Sequence, residues 1–377
     1  MAETVFILGA GASRESGAPL MSDFFDVMER VIEGNQDQTL KDALHAVIRA
    51  VVDLESSAAR INVDTNNVES ILGLFEMARL IDTPILEGNA DRGVDLVDTL
   101  DRLIAETIER SVLFDCPSQA GPVPHASYMA LVNLIGQIRQ TSHQGCAVVT
   151  LNYDCALELA LAYSNVPYQY SLPSEKPLDG AVPVLKLHGS LNWGHCTTED
   201  SSIHPIVPYR VENFVQNVHI RPGTQQVSLS ISQSLDRLVC PECSEKCAKT
   251  PVIVPPSWNK TSVGDALKPV WRRAAAELNN ARNIYVIGYS MPQTDLFFRD
   301  LLAIGLKGGS RIERFWVYDP SKDVCDRYRT TIAGPALQGN GRFRAEGMTF
   351  TQAVVDLRKQ LGIISQPSGP VQKPAGF

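Results

Sequence analysis

No stretch of the sequence approaches the roughly 20 consecutive apolar residues that a membrane helix needs, so a bilayer span is not expected. The opening residues, MAETVFILGAGAS, lack the basic region of a secretion signal, and a cytoplasmic protein is the expectation. Charge is sparse as well: 20% of residues are charged, and 34 Lys and Arg against 42 Asp and Glu leave a net charge of −8. An acidic balance argues against nucleic-acid binding through a broad basic surface. Eight cysteines in 377 residues do not make a disulfide framework. There is no internal repeat, no P-loop of the form GxxxxGK[ST], no full GxGxxG and no second CxxC. Against these absences stand 44% hydrophobic residues, ample for a sizeable core.

The hydrophobic pattern is that of an α/β protein. Thr4 to Leu8 is a short, apolar, β-branched run that ends in Gly9-Ala10-Gly11-Ala12-Ser13, a strand feeding a glycine turn. Residues 22–145 carry mostly helical spacing and read as a helical insertion. From Cys146 the alternation becomes strand, helix, strand: Ala147 to Leu151, then Cys155 to Ala162, then Val182 to Leu187. That rhythm belongs to a Rossmann-like parallel sheet covered by helices. Residues 194–250 interrupt it as a small cysteine-containing module. It is expected to resume at Val252 to Val254, with a helix near Leu267 to Leu278, the strand Asn283 to Ile287, a helix from Thr294 to Ile304 and the strand Glu313 to Val317. A last amphipathic helix is expected over Thr351 to Leu361. Residues 1–364 then form one unit carrying both insertions, and the Pro- and Gly-rich tail 365–377 is expected to be disordered.

Several blocks carry polar residues where an open α/β sheet gathers its ligand, at the carboxyl ends of strands. Gly9, Ala10, Gly11 and Ser13 allow close backbone approach to a phosphate, although an ordinary strand-to-helix turn has the same composition. Thr150-Leu151-Asn152-Tyr153-Asp154 and Lys186-Leu187-His188-Gly189-Ser190 each place polar groups just past an apolar strand, as does Gly288-Tyr289-Ser290. Asn152 and Asp154 also suit a plain helix cap, His188 a structural histidine beside a turn, and Asp319 a turn before Pro320-Ser321. Separately, Cys240, Cys243 and Cys247 form a CxxC knuckle with one further thiol, suited to structural zinc with Cys196 or His195 as a fourth ligand. A vestigial module with reduced thiols is the alternative.

Taken together, GAGASRESGAP, TLNYD, KLHGS, GYS and the strand-ending VYD at Val317 to Asp319 occur in the order and approximate spacing of the sirtuin-like superfamily, which the chain resembles from about residue 4 to residue 319. Leu191-Asn192-Trp193 and the block from Ile253 to Lys260 look like its bacterial branch, which is associated with NAD cleavage in antiphage defence. The resemblance implies an NAD-binding fold in which Gly9, Ala10, Gly11 and Ser13 line the pyrophosphate. It implies Asn152 at the ribose or the attacking water, Asp154 at the carboxamide and His188 as general base. Gly288, Ser290 and Asp319 then lie toward the adenosine. The implied reaction is NAD+ glycohydrolysis to nicotinamide and ADP-ribose, with NAD+ as substrate. An oligomer and an outside partner, such as a HerA-like ATPase or an Argonaute-like protein, are expected to control it. NAD-dependent protein deacylation and non-catalytic NAD or ADP-ribose sensing are the alternatives. The deacylating members carry a Pro-Asp-Phe-Arg loop, whereas this chain reads Ala18-Pro19-Leu20-Met21-Ser22-Asp23-Phe24-Phe25 and lacks the arginine, which disfavours deacylation.

Overall fold

The structure, a computed structural model, describes residues 1–56, 64–85, 95–117, 121–141, 144–196, 198, 202–208, 218–254, 264–293, 295–307, 312–332, 337 and 341–363. The tail 365–377 and the Pro255 to Lys260 part of the bacterial-branch block lie outside the described residues.

Five short apolar runs become the heart of one sheet: β1 (Thr4–Leu8), β3 (Cys146–Thr150), β5 (Val182–Lys186), β12 (Asn283–Ile287) and β13 (Arg314–Tyr318). Every residue of β1, β3 and β12 is buried. Strands apolar at consecutive positions, rather than alternating, are what a parallel sheet covered on both faces requires. With β4 (Tyr168–Gln169) and β14 (Phe343–Glu346) at the edges, the seven strands run in the order β14-β13-β12-β1-β3-β5-β4, all parallel. The chain leaves β1 toward β3 on one side and later returns to pair β12 on the other. The order therefore reverses at β1 and β12, which opens a crevice at their carboxyl ends.

The helices of this layer are α1 (Ala10–Arg14), α6 (Ala126–Thr141), α7 (Ala156–Tyr163), α8 (Gly264–Asn280), α9 (Leu296–Gly305), α10 (Lys322–Thr331) and α11 (Phe350–Gln360). Helix α6 packs against α7 and α11, and α8 against α9. Of the residues 22–145 expected as a helical insertion, α6 thus packs with the sheet layer, while α2 (Phe24–Glu33), α3 (Gln38–Ser56), α4 (Val68–Leu80) and α5 (Leu96–Ser111) form a helical group of their own. Helix α5 is its centre, touching α2, α3 and α4, because Val97, Leu100, Leu103, Ile104 and Ile108 recur at spacings of three and four and are all buried. Side-chain caps fix where two of these helices start. Asn67 accepts from the Glu69 and Ser70 amides, and Asp95 from those of Val97 and Asp98.

One feature differs from the sequence expectation. Val252 to Val254 does not resume the parallel sheet: β11 (Val252–Ile253) pairs antiparallel with β6 (Gly189–Ser190). The tight Gly189 turn (φ +90°) after the His188 strand end folds the chain back, and a Cβ at Gly189 would meet the Val252 carbonyl oxygen. A second, three-stranded sheet links the segment after α5 to the cysteine-containing module. Strand β2 (Phe114–Asp115), which follows α5, pairs with β10 (Gln226–Leu229), and β10 pairs with β9 (Val218–Ile220). Among the described residues no helix is long and apolar enough to cross a membrane.

The seam between these parts contains a buried acid. Glu109 of α5 accepts from the Ser232 amide at 2.6 Å and from its hydroxyl at 3.0 Å. Burial, helped by neighbouring Glu106, pushes its carboxyl up to about 8 despite those donors. The folded state thus holds a proton that the unfolded chain loses near pH 4.5. Stability falls as pH rises between these values, by at most about 1.4 kcal/mol per unit. Urea titrations of Glu109→Gln should show a flatter pH dependence than wild type from about pH 5 to 8; parallel curves would remove Glu109 as the cause.

Candidate active site

The carboxyl ends of β1, β3, β5 and β12 bring the polar blocks together. The glycine turn after β1 and the turn after β12 touch directly at the point where the strand order reverses. The Gly11 amide donates to the Gly288 carbonyl at 2.8 Å, and a Cβ on Gly9 would lie 2.5 Å from Tyr289 Cα. Gly288 has φ +63°, and a Cβ there would stand 2.4 Å from the Ala12 nitrogen. Both neighbours are backbone, so neither can rotate away. Gly288→Ala is expected to melt lower, since the left-handed conformation alone costs about 1–2 kcal/mol. Calorimetry checks this, and unchanged melting would show that the turn yields. Because the Gly11 amide is already engaged, it is the small size of the turn that lets a ligand approach.

One turn further along α1, Ser13 is the hub of a buried cluster. Its hydroxyl donates to Asp154 Oδ2 at 2.7 Å and lies 3.0 Å from Asn152 Nδ2 and 2.7 Å from the Tyr128 hydroxyl. A serine has one hydrogen and two lone pairs. The hydrogen goes to the carboxylate, so Asn152 and Tyr128 must both donate. This fixes the Asn152 amide with Nδ2 toward Ser13 and Oδ1 as its remaining acceptor. Ser13, Tyr128, Asn152 and Asp154 are all buried. Burial first, and then the Asp154 charge, hold the Tyr128 hydroxyl well above the usual range, so it stays neutral. Asp154 Oδ1 also accepts from the Ala156 amide at 3.0 Å. The turn that leads into α7, whose N-cap is Cys155, and the site geometry therefore share one carboxylate.

His188 leaves β5 next to this cluster. Thr150 of β3 pairs with Lys186 of β5, so Asn152 and His188 each stand two residues beyond a paired position on neighbouring strands. His188 is 3% exposed. Its ring lies 6.3 Å from that of Tyr153, and its Nε2 lies 3.9 Å from Asp295 Oδ2. Below it, Lys186 is fully buried and reaches Glu158 Oε1 at 2.9 Å, the Tyr153 carbonyl at 3.3 Å and the Asp154 carbonyl. Burial pulls its proton affinity down, but Glu158 and other nearby negative groups outweigh that and leave it raised.

The residues implied on the adenosine side are placed more loosely. Ser290 is exposed, and its carbonyl accepts from Arg327 at 2.6 Å. Asp319 follows β13, where its Oδ1 accepts from the Ser321 amide at 2.8 Å, a turn interaction. Burial raises its carboxyl above the ordinary value. Tyr128, Asp295 and Glu69 escaped the sequence analysis, and Lys186 stood in it only as the first residue of the His188 block. Only Asp295 had a local signal, an acidic residue just before the apolar start of α9. A cavity of about 520 Å³ opens at the opposite end of the sheet, lined by Thr4, Gln137, Asn283 and Arg314. Thr4, Asn283 and Arg314 begin their strands, so it lies a strand length from the motif residues, roughly 16 Å at 3.3 Å per residue.

In the cysteine module, the thiols of Cys196, Cys240 and Cys243 all lie within 4.8 Å of one another, with Cys196 and Cys243 at 3.4 Å. Cys196 bridges Cys247 across two antiparallel segments, and Cys247 packs in the same small cluster. His204 Nε2 stands 3.4 Å from the Cys240 thiol. His195 is outside the gathered set, as alternation along β7 (Trp193–His195) and its continuation turns neighbouring residues to opposite faces. The three thiols suit a tetrahedral zinc ion.

Comparison with protein-family models gives no match, and neither does comparison with curated proteins. Among solved structures, the chain aligns with a Sir2 homologue–NAD complex at 15% identity and TM-score 0.44, over 96% of this chain and 91% of that one. It aligns with an ADP-ribose complex of a variant Sir2 homologue at 15% identity and TM-score 0.41, over 97% and 96%.

Proposed function

We propose that this sheet edge is an NAD+ glycohydrolase site, with Asn152, Asp154 and His188 acting on the nicotinamide riboside. The observation that carries the reading is the Ser13 hub. One hydroxyl locks Asn152 and Asp154 in fixed orientations just beyond the end of β3, beside a buried histidine just beyond the neighbouring strand. Together with the sirtuin-like motif blocks, that combination fits cleavage of an N-glycosidic bond better than it fits binding alone, which has no need of a general base.

The chemistry follows from the groups present. Nicotinamide leaves with the electron pair of its bond to C1′, and the ribosyl centre becomes oxocarbenium-like. The Asp154 charge and the Asn152 carbonyl oxygen stabilise that cation and hold the incoming water or a ribose hydroxyl. His188 accepts the proton as the water oxygen bonds C1′. The products are nicotinamide, ADP-ribose and a proton. Gly9, Ala10, Gly11 and Ser13 pass beneath the pyrophosphate, with Gly288, Ser290 and Asp319 toward the adenosine. The stretch from Ala18 to Phe25 offers no arginine to close over the ribose, which favours water over an acyl-lysine as acceptor. Unregulated cleavage would exhaust cellular NAD+, so an effector role in antiphage defence, held in check by an oligomer or a separately encoded partner, completes the reading.

Cys196, Cys240, Cys243 and Cys247 would hold a structural zinc ion, which takes no part in the reaction. Purified protein should carry about one zinc per chain. Cys243→Ser should lose the metal and melt lower. Metal-free protein with unchanged melting would speak for a vestigial module.

The reaction is tested by incubating purified protein with NAD+, alone and with a neighbouring gene product, and resolving the products by chromatography. Nicotinamide and ADP-ribose without consumption of an added acyl-lysine peptide is the expected result. Acyl transfer to ADP-ribose would replace it with deacylation, and tight ADP-ribose binding without turnover would replace it with sensing.

A further inference from the structure

We infer that Asp295 is the positioning residue of His188, the carboxylate that orients its imidazole and stabilises its protonated form. The inference rests on the NAD+-cleaving reading of the site. Asp295 is the N-cap of α9, and its Oδ1 accepts from the Phe298 amide at 3.1 Å. Capping needs one oxygen, and asparagine or serine would supply it without a charge. The second oxygen, Oδ2, turns toward the site. It accepts from the Tyr289 hydroxyl at 2.6 Å and lies 3.9 Å from His188 Nε2. Asp295 is 1% exposed and His188 3%, so solvent screens their attraction little. A carboxylate buried this deeply is costly unless it is paired.

The carboxylate is held in place from several sides. The Tyr289 ring packs edge-on against Phe298 with centroids 4.8 Å apart, and its backbone carbonyl accepts from Tyr328 at 3.0 Å. The titratable groups around the pair are Tyr289, Tyr328 of α10, Tyr153 after β3 and Glu69 of α4. The three tyrosines are held well above their ordinary range, first by burial, and stay neutral. Glu69 is pushed up to about 8 by burial and then by the Asp295 charge. At neutral pH it is largely protonated and leaves the imidazolium to Asp295.

Asp295→Asn keeps the cap and an acceptor for Tyr289 while removing the charge, and Asp295→Ser is a second neutral cap should the first fail to fold. Two quantities are read in the full-length protein: the His188 imidazole titration by NMR, and kcat and KM for NAD+ across pH. The titration midpoint should fall by about one unit or more. In step with it, kcat at neutral pH should fall about tenfold or more with KM nearly unchanged. An unmoved His188 midpoint in either folded variant overturns the pairing, even if activity drops. If wild type turns over no NAD+ yet the midpoint moves, the glycohydrolase reading fails and the pairing stands.

Discussion

His188→Ala is expected to lower kcat for NAD+ cleavage by about 10²–10⁴-fold, the usual contribution of a positioned general base, while the affinity for ADP-ribose stays close to wild type. Asn152→Ala should fall in the same range for a different reason. It removes the carbonyl oxygen that meets the developing cation and one of the two donors to Ser13. Asn152→Asp separates these roles. It restores an oxygen but sets a second carboxylate against the single Ser13 hydrogen, which Asp154 already takes. The aspartate variant should therefore rescue no activity and bind NAD+ no better than alanine. Steady-state kinetics beside ADP-ribose calorimetry give both numbers. Equal losses of binding and turnover in His188→Ala would make the histidine a structural residue of the pocket wall.

The largest stability effect is expected at Lys186. Its ammonium group neutralises Glu158 and ties down the Tyr153 and Asp154 carbonyls, with both charged side chains 1% exposed. Lys186→Met leaves Glu158 as an uncompensated buried charge, a change that costs about 3–5 kcal/mol. Lys186→Met with Glu158→Leu removes both charges and should recover much of that loss, because a buried pair is often replaceable by apolar residues. Activity should not return with stability. The double variant still lacks the anchor that holds the loop from Asn152 to Asp154, so NAD+ turnover should remain depressed. Urea midpoints and kcat measured on the same three variants separate the two effects. A double variant as unstable as the single one would mean that Lys186 matters through packing rather than charge.

What the sequence revealed and what it hid have physical causes. The five central strands were legible because a doubly covered strand is continuously apolar, and β1, β3 and β12 are buried at every residue. The edge strands were not: β4 has two residues and β14 reads FRAE, with only one residue fully buried. Val252 and Ile253 have the composition of a sheet strand, and nothing local distinguishes parallel pairing with β5 from antiparallel pairing with β6. At the site, Asn152, Asp154 and His188 stood out because polar residues interrupt apolar strand ends. Tyr128 lies on α6, far from any motif, and joins Ser13 only through the fold. Lys186 looked like the last residue of a strand, yet its burial depends on Glu158 a helix away. Asp295 was hidden by its own good fit as a helix cap, which explains one oxygen and says nothing of the other.

The most direct measurement is a crystal structure of His188→Ala, which should bind NAD+ without cleaving it, in complex with intact NAD+. The pyrophosphate is expected over the turn from Gly9 to Ser13, with C1′ of the nicotinamide ribose between Asn152 Oδ1 and the space vacated by the imidazole. NAD+ seated instead at the opposite end of the sheet, in the cavity lined by Gln137, Asn283 and Arg314, would contradict the assignment of the Ser13 cluster as the reacting centre.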